Sequence, residues 1–88
     1  MAWTVEWDER AVRDAQKLGH QERRGILAYL RERIATDEDP RRFGKPLFAD
    51  RAGLWRYRVG DYRIVCRIEE DRVVVLVLAV GHRSKVYD

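Results

Sequence analysis

The sequence is poor in the residues that build disulfides, metal centres and nucleotide-binding loops. It has one cysteine and two histidines in 88 residues. Cys66 alone cannot form an internal disulfide, and its branched apolar neighbours predict a small buried residue on a strand. His20 and His82 are too few and too far apart in sequence to indicate a metal site. Glycine-rich nucleotide loops and serine nucleophile motifs are also missing, so we expect chemistry that uses neither.

Long hydrophobic runs are missing as well. The longest apolar run, residues 73–80, is far shorter than the ~18 residues that a membrane span requires. No apolar stretch near the N-terminus is long enough for a signal peptide. We therefore expect a soluble, cytoplasmic protein without a membrane partner. A chain of this length can bury one compact core, which predicts a single domain over residues 1–88.

Positive charge is concentrated in the second half of the chain. Residues 1–44 carry nine Lys/Arg and nine Asp/Glu, whereas residues 45–88 carry nine and six, so the formal net charge of +3 lies in the second half. Such a local excess favours polyanions or an acidic protein partner. Charge of this size is also common among soluble domains that bind neither.

The first half has the patterns of one strand and two helices. Residues 2–7 alternate, with Trp3, Val5 and Trp7 on one face, which predicts a strand buried on one side. Asp8 is a candidate N-cap for a helix over residues 9–18, and Gly19 is a candidate stop. A second helical pattern runs from His20 to about residue 36, with an apolar stripe made of Ile26, Leu27, Leu30 and Ile34. Residues 37–46 follow neither the helical spacing nor the alternation of a strand, which predicts a loop.

The second half predicts an antiparallel meander with strands at residues 54–59, 62–69 and 72–80. Two-residue turns at 60–61 and 70–71 would set the register. Under that register Arg58 faces Arg63, Arg56 faces Val65, Val65 faces Leu76 and Arg63 faces Leu78. One face is then core, and the other is basic over an apolar floor made by Val65, Val74, Leu76 and Leu78. The predicted fold class is α+β, with an N-terminal strand and two antiparallel helices packed on the meander.

The basic face has two interpretations. Arg56, Arg58 and Arg63 would bring several guanidinium groups toward one anion, and facing arginines are easier to understand if a phosphate or carboxylate neutralises them. The alternative is a solvated face whose side chains spread into water. The apolar floor also has two interpretations, because either the C-terminal tail or a partner could cover it.

Arg83 and Tyr87 follow the last strand and could lie beside Arg63. Together they could support RNA cleavage, in which a base removes the 2′-hydroxyl proton, a cation stabilises the charged phosphorane and an acid protonates the 5′ oxygen. Tyrosine could take part in proton transfer only if nearby cations lower its pKa from about 10. The alternative is that Tyr87 covers the edge of the sheet.

The order of elements and four motifs resemble the RelE/ParE toxin superfamily over nearly the whole chain, most closely its RelE branch. The motifs are Gly44-Lys45-Pro46-Leu47, Gly53-Leu54-Trp55-Arg56-Tyr57-Arg58, Gly60-Asp61-Tyr62-Arg63-Ile64-Val65 and Val80-Gly81-His82-Arg83-Ser84-Lys85-Val86-Tyr87. The resemblance implies the toxin of a bacterial type II toxin-antitoxin system, acting as a ribosome-dependent messenger-RNA endonuclease. It also implies no added cofactor and an acidic, RelB-like antitoxin as partner, besides mRNA and the ribosome.

Site residues carry over by motif. The resemblance implies that Arg63 stabilises the attacked phosphate, that Arg83 assists departure of the leaving group and that Tyr87 activates or positions the 2′-hydroxyl. Lys45, Arg56 and Arg58 would bind the RNA backbone. Arg56 and Arg58 stand where the best-known RelE-type enzymes have lysines, and arginine is a poor base.

Two alternatives keep the scaffold but change the activity. One is a ParE-like inhibitor that acts on DNA gyrase through protein contacts and needs no cutting residues. The other is a non-catalytic RNA-binding remnant, which would bind RNA in a salt-sensitive way without cleaving it.

Overall fold

The computed structural model describes residues 1–47 and 53–85. It contains a five-stranded sheet with helices packed on one face. Along the chain the elements are β1 (Thr4–Trp7), α1 (Glu9–Gln16), α2 (His20–Tyr29), a π-helical turn (Leu30–Ile34), a 3-10 turn (Pro40–Arg42), β2 (Lys45–Pro46), β3 (Leu54–Val59), β4 (Tyr62–Glu69) and β5 (Val74–His82). The strand order in the sheet is β1-β5-β4-β3-β2. The predicted α+β class, with its N-terminal strand, two helices and C-terminal meander, is confirmed.

Helix α1 begins where the sequence predicts. The Asp8 side chain accepts a hydrogen bond from the Arg10 N–H at 3.1 Å, which satisfies one of the free donors of the first turn. The helix ends at Gln16, two residues earlier than predicted. Gly19 has a φ of −63° and is the N-cap of α2, so it starts the second helix and does not end the first in a left-handed conformation.

The apolar stripe of the second helix is narrower than predicted. Ile26, Leu30 and Ile34 are buried, but Leu27 is 43% exposed. The wide turn Leu30–Ile34 explains the difference, because its looser winding brings Ile34 back in line with Ile26 and Leu30 and leaves Leu27 beside the stripe. The buried stripe packs on the core face of the sheet, where Tyr57, Ile64 and Cys66 are fully buried.

The hairpin β3–β4 has the predicted register. Arg58 pairs with Arg63 and Arg56 pairs with Val65, on either side of the turn at Gly60 and Asp61. Gly60 has a φ of +58°, which a two-residue hairpin turn requires and which glycine adopts without strain. The turn chemistry therefore determines which side chains of these two strands share a face.

The hairpin β4–β5 has a different register from the predicted one. Arg63 pairs with Gly81 and Val65 pairs with Ala79, so the predicted pairs with Leu78 and Leu76 are wrong. The turn has four residues, 70–73, and the last strand begins at Val74. A β-bulge opposite Val65 and Cys66 then shifts the register by one residue more. A one-residue shift moves side chains to the opposite face, so Val80 enters the core and the small residues Ala79 and Gly81 lie beside the arginines.

The two edges of the sheet were not predicted. Strand β1 is parallel to β5, with Val5 beside Val75, and it begins two residues later than predicted. Trp3, just before the strand, packs against the core with Val5 and Trp7, as expected from their alternation. Within the predicted loop, Lys45 and Pro46 form the short strand β2 on β3. None of the described helices has the length and apolar content that a membrane crossing needs.

Alkaline pH is expected to destabilise this core. Burial raises the pKa of the Cys66 thiol and of the Tyr57 phenol, whose hydroxyl donates to the Pro40 carbonyl at 2.8 Å. An unfolded chain releases these protons near pH 9.0 and 10.0, while the folded chain keeps them. The unfolded state then binds fewer protons, so the free energy of unfolding falls above pH 9, by up to about 1.4 kcal/mol per pH unit for each group.

Urea unfolding between pH 7 and pH 11 measures this effect. The variant Cys66→Ala lacks one of the two groups and should show a shallower decline than the wild-type chain. Equal slopes for the two proteins would contradict the assignment of the effect to the thiol.

Candidate active site

Four cationic residues from three neighbouring strands lie on the sheet face opposite the buried core. Lys45 pairs with Arg56 across β2 and β3, and Arg58 pairs with Arg63 across β3 and β4. Directly paired residues share a face, and Tyr57 and Ile64 between them point into the core. We call Lys45, Arg56, Arg58 and Arg63 the basic face. The structure therefore brings together all three predicted RNA-binding residues and one predicted catalytic residue.

Burial differs strongly across the basic face. Lys45 and Arg58 are exposed, Arg56 is half-buried and Arg63 is only 7% exposed. Neither Arg56 nor Arg63 is a free charge in the fold. A buried guanidinium costs free energy unless it is paired, so a phosphate that binds Arg63 has to gain access to it and replace its present interactions.

The backbone of Arg83 lies close to that of Arg63 on the neighbouring strand. Gly81 is the cross-strand partner of Arg63, and Arg83 follows two residues later. The Arg83 N–H donates to the Asp61 carbonyl at 2.8 Å, which holds the end of β5 against the β3–β4 turn. Arg83 itself is exposed. Tyr87 lies outside the described residues, so its position beside the two arginines stays a prediction.

The apolar floor differs from the predicted one by one residue. Val65, Val74 and Leu76 lie on the same sheet face as the arginines, as expected. Leu78, predicted opposite Arg63, is the extra residue of the bulge, and Ala79 lies opposite Val65. The methyl group of alanine and the hydrogen of Gly81 leave space above this part of the sheet.

A cleft of about 640 Å³ occupies that space, between α1 and the end of β5. The side of α1 that lines it carries Arg10, Asp14 and Lys17, spaced by four and three residues as one helix face requires. Val65 and Gly81 line its other side. This cleft was not predicted from the sequence. The polar stripe of α1 was a signal for it, but only the bulge decides that the stripe faces a space.

Two aromatic residues, each next in the chain to Arg63 or Gly81, also line the cleft. Tyr62 and His82 are cross-strand partners whose rings meet edge to face, with centroids 5.6 Å apart and an interplanar angle of 81°. The Ser84 N–H donates to His82 Nδ1 at 3.2 Å, and Ser84 Oγ lies 2.9 Å from the same nitrogen. Because Nδ1 accepts a hydrogen bond, a neutral ring carries its proton on Nε2 and donates from there.

Glu6 and Glu69 pair with residues near the start of β5, whereas Arg63 pairs with Gly81 near its end. Arg72 contacts Glu6 at 2.9 Å and Glu69 at 2.7 Å, so these carboxylates are already paired. Within residues 1–47 and 53–85, no group of three or more His, Cys, Asp or Glu residues is arranged to hold a metal ion.

Comparison with known proteins identifies the family of this chain. The family model described as the ParE toxin of the type II toxin-antitoxin system parDE matches residues 5–87. The chain is 37% identical over 89 residues to toxin RelG of Mycobacterium tuberculosis, covering 99% of this chain and 98% of the relative. It is 34% identical over 91 residues to the mRNA interferase toxin RelE of Escherichia coli, covering 99% and 92%.

Solved structures agree with the sequence relatives. The toxin-antitoxin complex RelBE2 of Mycobacterium tuberculosis contains a chain that superposes with a TM-score of 0.83 at 30% identity, covering 97% of this chain and 95% of that one. The isolated RelE toxin of Escherichia coli superposes with a TM-score of 0.74 at 25% identity, covering 92% and 84%. The resemblance found in the sequence is confirmed, and the chain belongs to the RelE/ParE family of toxins of type II toxin-antitoxin systems.

Proposed function

We propose that this toxin is an endoribonuclease that cuts messenger RNA on the ribosome without a catalytic metal ion. The observation that carries the proposal is the pairing of Arg58 with Arg63 and of Arg63 with Gly81, two residues before Arg83. This arrangement places the backbones of three arginines near one another, at one end of three neighbouring strands. Its relatives include proteins named as mRNA interferases.

The reaction is an attack of the RNA on itself. A base takes the proton of a 2′-hydroxyl, the oxygen forms a bond to the adjacent phosphorus, and the bond from phosphorus to the 5′ oxygen breaks as that oxygen gains a proton. The products are a 2′,3′-cyclic phosphate and a 5′-hydroxyl. Arg63 stabilises the charge that builds up on the phosphorane, and Arg83 assists the departing oxygen. Lys45, Arg56 and Arg58 hold the backbone on either side.

The proton acceptor is not an arginine, since guanidinium groups stay protonated. Tyr87 is assigned this task by its motif, and cations close to its phenol would favour the ionised form. His82 is a poorer acceptor in the conformation described, because its Nδ1 already accepts from the Ser84 N–H and its Nε2 then donates. His82 is better suited to donate a hydrogen bond to the RNA.

Mapping of message ends in a translation system made from purified components tests the proposal. We expect new 5′-hydroxyl ends at codons within the translated frame when the toxin is added. The matched control is the same message without its start codon, which should stay intact because it carries no elongating ribosome. An intact message at toxin concentrations that stop growth would contradict the proposal.

Inhibition of DNA gyrase is the second candidate function, because the matching family model carries the name of ParE. This activity would depend on protein contacts and not on the cutting residues. DNA breakage that requires gyrase and persists in the variants Arg83→Ala and Tyr87→Phe would favour it over RNA cleavage.

We further propose an acidic, RelB-like antitoxin as partner. Solved relatives are toxin-antitoxin complexes, and the basic face over its apolar floor suits an acidic amphipathic segment. Because the same face would bind RNA, the two ligands should exclude each other. A stable complex of toxin, antitoxin and RNA that retains full cleavage would contradict this proposal.

A further inference from the structure

The cleft between α1 and β5 has the size and the position of a nucleotide site. Its volume of about 640 Å³ falls within the range of small-molecule pockets. The cleft lies next to Arg63, because Gly81, the cross-strand partner of Arg63, lines it. An RNA strand whose phosphate lies at Arg63 would therefore extend its neighbouring nucleotide toward this space.

The chemistry of the walls suits a base with its sugar-phosphate at the rim. Arg10, Lys17 and Lys85 supply three cations, and the aromatic residues Tyr62 and His82 also line the cleft. Single-stranded RNA is bound in this way elsewhere, through cationic contacts to the backbone and stacking on aromatic side chains. Backbone contacts and stacking alone do not distinguish one base from another, because every base has a face that can stack.

Asp14 adds a group that can distinguish bases. It lies between Arg10 and Lys17 on α1, and its Oδ2 accepts a hydrogen bond from the Val80 N–H at 3.0 Å. That bond ties the carboxylate to the strand next to the bulge and orients it. Neither cation of the stripe comes within ion-pair distance of it in the described structure, so the carboxylate keeps capacity to accept further hydrogen bonds.

We propose that this cleft binds one RNA nucleotide beside the cut phosphate, and that Asp14 selects its base by accepting a hydrogen bond from an exocyclic amino group. The inference rests on the proposed nuclease function. Cytosine presents such an amino group at position 4, where uracil presents a carbonyl oxygen that a carboxylate repels. Asp14 is then a specificity-determining residue, and cytidine is preferred over uridine at one fixed position next to the cut.

The same carboxylate argues against an acidic protein segment as the occupant of this cleft. A glutamate or aspartate entering between Arg10 and Lys17 would meet the charge of Asp14, which like-charge repulsion disfavours. Phosphates avoid this repulsion by lying at the cationic rim while the base enters. The observations therefore favour RNA.

The variant Asp14→Asn tests the inference with little change in shape. The side-chain carbonyl oxygen of asparagine can still accept the hydrogen bond from the Val80 N–H. The NH2 group, which donates hydrogen bonds, then stands where the second carboxylate oxygen of Asp14 accepts them. Cut sites are mapped on a pool of translated messages that carry either cytidine or uridine at each position. We expect the wild-type chain to favour cytidine about threefold to tenfold at one position, and the variant to lose or reverse that preference.

The matched control is Asp71→Asn, the same chemical change at an exposed turn on the opposite end of β5. It should leave the ratio of cytidine to uridine unchanged. A merely structural Asp14 would alter the melting temperature or the overall rate without altering this ratio, and that result would overturn the proposal. So would an unchanged ratio together with tighter binding of a poly-glutamate peptide to the variant, which would assign the cleft to an acidic protein.

A wild-type chain that leaves translated messages intact would refute the nuclease function separately. The nucleotide site is then judged by direct binding of fluorescent tetraribonucleotides that differ only in one cytidine or uridine. Discrimination that disappears in Asp14→Asn supports the site, and equal affinities for both oligonucleotides in the wild-type chain overturn it.

Discussion

Replacement of Arg63 or Arg83 by alanine is expected to slow cleavage of translated messages by about a hundredfold or more in each case. Each arginine is proposed to stabilise charge that exists only in the transition state, so the loss should appear in the rate of cutting more than in RNA affinity. The double variant should show no detectable cleavage. Because the two residues act on one phosphate, their combined effect should be smaller than the product of the single effects.

Arg67→Ala is the matched control for this experiment. Arg67 lies on the same strand and face as Arg63 but pairs with Leu54 at the other end of the hairpin. Its removal should change the cutting rate by less than about threefold, the scale expected for an exposed residue outside the site. Arg63→Ala also truncates a buried side chain, so its melting temperature has to be measured beside its activity. Arg63 and Arg83 variants that melt like the wild-type chain and lose less than tenfold in rate would contradict the assigned roles.

Gly44→Ala is expected to lower the free energy of unfolding by about 3 kcal/mol, the combined scale of a left-handed non-glycine residue and an overpacked contact. Gly44 has a φ of +75°, and a Cβ atom there would collide with the Arg56 carbonyl oxygen. It would also come within 2.7 Å of Trp55 Nε1 and 2.9 Å of Tyr57 Cδ1. Backbone and packed rings cannot move aside as a flexible side chain can.

Gly25→Ala provides the control, because nothing lies within 4 Å of a Cβ at that position in α2. Alanine favours the helix, so this variant should gain about 0.5–1 kcal/mol. Urea unfolding of both variants measures the contrast. The collision at Gly44 would also push β2 away from β3, since Trp55 Nε1 donates to the Phe43 carbonyl at 2.7 Å. Equal stability of the two variants would show that β2 does not pack as described.

Sequence reasoning succeeded where short-range chemistry decides the structure. The Asp8 cap and the turn at Gly60 and Asp61 depend on residues close together in the chain, and both were predicted correctly. The register of β3–β4 follows from that turn, and with it the sharing of one face by Arg56, Arg58 and Arg63. The family motifs then assigned roles to Arg63 and Arg83. The structure places these two residues near each other, because Arg63 pairs with Gly81, two residues before Arg83.

The predicted register of β4–β5 is wrong because two features of this hairpin leave weak traces in the sequence. Val73 adopts a φ of +54° in the four-residue turn, a conformation that a β-branched residue rarely takes. The bulge at Leu78 lies inside a continuous apolar run, where no alternation marks which residues face the core. The turn and the bulge each shift the pairing.

Local sequence thus determined the secondary elements, the first hairpin and the cationic character of one sheet face. Only the tertiary structure decided that β1 runs parallel to β5, that Arg63 is buried beside Gly81, and that the polar stripe of α1 borders a cleft. The physical reason is that turns and caps depend on neighbouring residues, whereas a bulge, a parallel pairing and a cavity depend on packing between segments far apart in the chain.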